Sequence, residues 1–78
     1  MLKFKLIENT ENKAVYEYYP EGGASVGIVS HDKGTRSNSI VNLSTDDRHK
    51  RYALKMLAKL REFAQRGAFE TDGTIAWY

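Results

Sequence analysis

Histidine, aspartate and serine are the residue types in this chain best able to do chemistry, and their spacing suits little of it. His31 and His49 stand 18 positions apart. No cysteine is present, so thiolate ligands, cysteine nucleophiles and disulfides are excluded. No spaced carboxylate completes a histidine metal site. A catalytic histidine would need an orienting partner such as Asp46 or Asp47. His49 instead falls on the apolar arc of a helix, where a hydrogen-bonded, partly buried histidine is the plainer reading. Ser25, Ser30, Ser37, Ser39 and Ser44 offer hydroxyls without a nucleophile motif. Gly22-Gly23 and Asp32-Lys33-Gly34-Thr35 lack the spacing and strand–loop–helix context of a phosphate loop and read as turns. The expectation is a protein that is not an enzyme and uses no metal and no cofactor.

Binding chemistry has more to work with. Residues 1–44 hold five basic and five acidic side chains, whereas residues 46–66 hold seven and three, a local net charge of +4. On a helical wheel Arg48, Arg51, Lys55, Lys59 and Arg66 fall within a band of about 80°, interrupted only by Glu62. Such a stripe can track phosphates, and Arg48, Arg51, Lys55, Lys59 and Arg66 are the candidate binding residues. The plainer alternative is a solvated face that keeps the helix soluble. The stripe also adjoins the apolar arc beside Tyr52, where it could flank a protein interface. Tyr16 and Tyr18 share a strand face with Tyr19 opposite. Base stacking would want cations between them, but their neighbours are Glu17 and Glu21, so packing is the better reading.

The elements that must position these residues are legible from periodicity. Leu2, Phe4 and Leu6 alternate with Lys3 and Lys5, the pattern of a strand with one wet face. Asn9 to Asn12 is turn chemistry. Lys13 to Tyr19 is rich in β-prone residues, and Pro20-Glu21-Gly22-Gly23 ends it. Ala24 to His31 reads as a third strand, in which Gly27 signals a bulge or a close backbone approach. Asp32-Lys33-Gly34 is a hairpin turn, and Ser39 to Leu43 a fourth strand. A helix is expected from Asp46 to Arg66, with Ser44 or Thr45 as N-cap and Gly67 as the C′ residue. Tyr52, Ala53, Met56, Leu57, Leu60, Phe63 and Ala64 form an apolar arc of about 140°, which suits a helix laid on a sheet. Thr71-Asp72-Gly73 reads as a turn, and Thr74 to Tyr78 as a last strand.

Length and composition set the bounds. The chain has 78 residues, of which 41% are hydrophobic and 28% charged, which fits one small globular domain over residues 1–78. No apolar run approaches the roughly 20 residues of a membrane helix, and the alternation over Met1 to Ile7 is unlike a signal peptide. A cytoplasmic protein, or one made inside a host cell, is expected. One helix covers only part of a four- or five-stranded sheet, and a meander leaves two open edges. Homodimerisation follows as a physical expectation.

Tyr18-Tyr19-Pro20-Glu21-Gly22, Gly27-Ile28-Val29-Ser30 and the closing Gly73-Thr74-Ile75-Ala76-Trp77-Tyr78 resemble segments of small uncharacterised proteins of phages and prophages of Gram-positive bacteria. The resemblance implies a non-enzymatic accessory role and carries over no site residue. The expected fold is α+β: an antiparallel four-strand meander, one long amphipathic helix packed on one sheet face, and a short C-terminal strand. The expected function is that of a small binding protein acting through a surface and self-associating, with another protein as a further possible partner and no membrane. The alternative is nucleic-acid binding through the basic stripe.

Overall fold

The computed structural model describes residues 1–47 and 49–76. Five strands form one antiparallel sheet: β1 (Leu2–Asn9), β2 (Lys13–Pro20), β3 (Gly27–Asp32), β4 (Ser37–Asn42) and β5 (Asp72–Ile75). Their order is β4-β3-β2-β1-β5. The first four strands are thus a meander, and β5 returns to pair with β1 from the other side. The helix α1 (Arg51–Arg66) follows β4 and packs on β2, β3 and β4. No helix among the described residues is long and apolar enough to cross a membrane.

Alternation in β1 and β2 builds the core as expected. Leu2, Phe4, Ala14, Tyr16 and Tyr18 point to the helix and are buried, and Ala53, Met56, Leu60 and Phe63 meet them from α1. Phe4, Tyr16 and Phe63 form a triangle of rings with centroids 5.7–5.8 Å apart, a spacing at which edge contacts between rings are favourable. Tyr16 donates to the Glu70 carbonyl at 2.5 Å, so its hydroxyl does not lose a partner on burial. Burying Tyr16 and Tyr18 removes them from any contact with bases.

Two glycines make room for two of these rings. Gly27 lies opposite Tyr18 and Gly73 opposite Phe4. A Cβ at Gly27 would stand 2.1 Å from Tyr18 Cε1, and one at Gly73 2.7 Å from Phe4 Cζ. Each aromatic side chain thus lies over the bare backbone of the neighbouring strand, a pairing that fills the space a glycine leaves in a sheet.

Several boundaries differ from the sequence reading. Residues 24–26 stand outside β3, which starts at the glycine that accommodates Tyr18. Asp72-Gly73 is the start of β5 rather than a turn, because Gly73 is needed beneath Phe4. Of the rest of the expected last strand, Ala76 stands outside β5, and Trp77 and Tyr78 lie outside the described residues. Val29, in β3, is buried in the core. Register shifts at Leu6/Glu8 in β1 and opposite Ile28/Val29 in β4 make Ile7 and Val41 the extra residues of two bulges, and both are exposed.

The largest difference is the start of the helix. It begins at Arg51, five residues after the expected Asp46, and His49 precedes it as an exposed residue rather than a member of the apolar arc. Ser44 and Thr45 do not cap it. Lys50 occupies the N-cap position in a left-handed conformation with φ 59° and makes no side-chain cap bond. The capping acceptor is Asp47, whose Oδ1 accepts from the Tyr52 N–H at 3.1 Å and Oδ2 from the Ala53 N–H at 2.8 Å. Those are two of the donors that a helix start leaves without partners. Ser44 shapes the approach instead: its carbonyl accepts from the Asp47 N–H and its Oγ from the Asp46 N–H.

Candidate functional site

The basic stripe divides once it is folded. Arg48 lies outside the described residues. Arg51, Lys55, Lys59 and Arg66 are on α1, and all but the half-buried Lys59 are exposed. Lys59 Nζ reaches Glu62 at 3.4 Å and lies 5.6 Å from the Phe63 ring. Arg66 pairs with Glu70 at 3.0 Å, with its guanidinium 5.4 Å from the same ring. These two side chains cover the solvent side of a core aromatic with their stems and cations, a packing role that a wheel cannot display.

The opposite flank of α1 holds a different arrangement. A cleft of about 490 Å³ opens between the C-terminal half of the helix and the β3–β4 hairpin. Arg61 and Gln65 line one wall, Arg36, Ser37 and Asn38 the other, with Leu57 and Ala64 adding apolar surface. No carboxylate lines it, and neither arginine forms an ion pair among the described residues. His31, 3% exposed, also lines the cleft. It sits opposite Asn38 across the strands. Asn38 Oδ1 accepts from His31 Nδ1 at 2.6 Å. The expected buried, hydrogen-bonded histidine is therefore His31 and not His49.

A smaller extension of about 150 Å³ shares His31, Arg36 and Ala64 with the cleft and reaches Lys33 and Phe69. Lys33 is already engaged there: its Nζ donates to Asn9 Oδ1 and the Thr10 carbonyl, and lies 4.9 Å from the Phe69 ring. The hairpin turn is held by Asp32, whose Oδ1 accepts from the Gly34 and Thr35 N–H groups. Those bonds hold the Asp32 carboxyl below its usual range. Arg36 completes the turn in a left-handed conformation, φ 59°.

Beside the cleft runs the β4 edge of the sheet, with no strand beyond it among the described residues. Its sequence Ser-Asn-Ser-Ile-Val-Asn carries no charge. The two most exposed large apolar side chains among the described residues stand on this side of the molecule: Val41 at 61% on β4, and Leu54 at 58% two turns before Arg61 on the same helix flank. The other edge, β5, is only four residues long and carries Asp72.

Arg36, Arg61, Asn38 and Gln65 were not candidates from the sequence. Arg61 falls outside the cationic band, and Arg36 reads as an ordinary turn residue; only the packing of α1 on β3 and β4 brings them together. No group of histidines and carboxylates among the described residues could hold a metal ion. No family model, no curated protein and no solved structure matches this chain.

Proposed function

We propose that the protein is a non-enzymatic binding module that self-associates through the β4 side of its sheet. One observation carries this reading: an uncharged edge strand without a neighbour, on the side of the molecule that also exposes Val41 and Leu54. An open edge presents N–H and C=O groups ready to pair with another strand. Antiparallel pairing of β4 with the β4 of a second copy, about a two-fold axis, satisfies those groups and continues the sheet across both chains. An uncharged strand can face its own copy without opposing like charges. Pairing through β5 would bring two Asp72 carboxylates into one interface. The bulge at Val41 limits the straight pairing segment to residues 37–40 and leaves Val41 and Leu54 as apolar contacts at its margin.

Nucleic-acid binding through Arg51, Lys55, Lys59 and Arg66 has weaker support, because Lys59 and Arg66 already hold carboxylates and cover Phe63. Light scattering over a micromolar concentration series tests the self-association. The expected mass is twice the 8.9 kDa of one chain, returning to that of one chain in Val41→Lys and Leu54→Lys. A wild-type mass of one chain throughout contradicts the proposal.

A further inference from the structure

We propose that the cleft between α1 and the β3–β4 hairpin is a binding site for a small phosphate-bearing ligand of nucleotide size. Its volume of about 490 Å³ lies within the usual range of small-molecule sites. Arg36 and Arg61 stand on opposite walls, come from different parts of the chain, and among the described residues no carboxylate lines the cleft to neutralise them. Guanidinium groups bind phosphate oxygens in a two-pronged fashion, and two of them on facing walls suit adjacent phosphates.

The remaining lining is consistent with such a ligand. Ser37, Asn38 and Gln65 supply neutral polar groups, and Leu57 and Ala64 supply apolar surface for a ring or a sugar face. The wall is pre-organised. Asn38 is fixed by His31 at 2.6 Å, and Arg36 is held at φ 59° by a turn pinned at Asp32. A non-glycine residue in that conformation is strained, and strain of this kind recurs in ligand-binding segments.

The cleft is lined by residues of a single chain, so ligand binding and self-association can fail separately even though Ser37 and Asn38 belong to both surfaces. The test is a titration of isotope-labelled protein with ADP, and with inorganic pyrophosphate alone, followed by amide shifts. It is run on wild type, Arg36→Gln, Arg61→Gln and Val41→Lys. Both arginines are exposed, and the amide spectrum itself reports whether each variant keeps its fold. ADP is expected to shift residues 36–38 and 61–65, with pyrophosphate shifting the same residues more weakly. Each arginine variant is expected to lose about tenfold in affinity, and Val41→Lys is expected to bind like wild type. The proposal is overturned if ADP at millimolar concentration shifts nothing in the cleft. It is equally overturned if the shifts gather around Arg51 and Lys55, or if both arginine variants bind as wild type does.

Discussion

Asp47 joins the sheet to the helix through one carboxylate. It accepts from two helix-start N–H groups and from the hydroxyl of Tyr18, which in turn accepts from the Ser44 N–H. Asp47 and Tyr18 are both buried, so removing the carboxylate leaves donors without partners away from water. Asp47→Ala should cost about 2–3 kcal/mol, a lost cap together with an unpaired hydroxyl, measured by urea denaturation. A midpoint unchanged from wild type contradicts this role. Buried tyrosines add a pH dependence. Burial first, and the Glu70 charge second, push Tyr16 up to about 12; burial is also the main cause of the upward shift at Tyr18, and the Ser44 N–H partly offsets it. The fold favours their neutral forms, so their contribution is complete below the ordinary tyrosine value of about 10. It is lost as pH rises toward and through 12. Ultraviolet titration should show Tyr16 and Tyr18 ionising only as the protein unfolds. Ionisation of all five tyrosines near pH 10 in a still-folded chain would count against it.

At the level of elements, the sequence was most legible where one face repeats. Leu2-Phe4-Leu6, the β2 tyrosines and the Met56-Leu60-Phe63 arc all pack as their spacing predicts, because burial selects one face of a strand or helix. It was least legible where a tertiary contact decides. Ser44-Thr45-Asp46-Asp47 looks like a helix start, but Asp47 reaches the N–H groups from outside α1, and Tyr18 holds it there. The start was displaced for that reason, while the C-terminal end at Arg66 and Gly67, set by local backbone conformation, was readable. Gly73 belongs to the same class, since its partner lies on a neighbouring strand; Gly27 was readable as a close approach, but its partner Tyr18 was not. Gly27→Ala should destabilise the β2–β3 pairing by about 1–3 kcal/mol, as overfilled cores do. A variant as stable as wild type would show that the Tyr18 ring can move aside.

At the scale of the whole molecule, the two flanks of α1 differ in how their cations are engaged. On the stripe side Lys59 and Arg66 pair with Glu62 and Glu70 and cover Phe63. The β4 side combines an open uncharged edge, two exposed apolar residues and a cleft lined by two arginines. The sequence showed that one helix covers only part of the sheet and that a meander leaves two open edges. It could not show which strands form those edges, because strand order depends on where β5 docks. The most direct test is amide hydrogen exchange at low and high protein concentration. The account predicts that β4 amides not bonded to β3 gain protection as concentration rises, while those of β5 do not change. Exchange in β4 that is independent of concentration, or new protection confined to β5 or to the stripe face of α1, would contradict it.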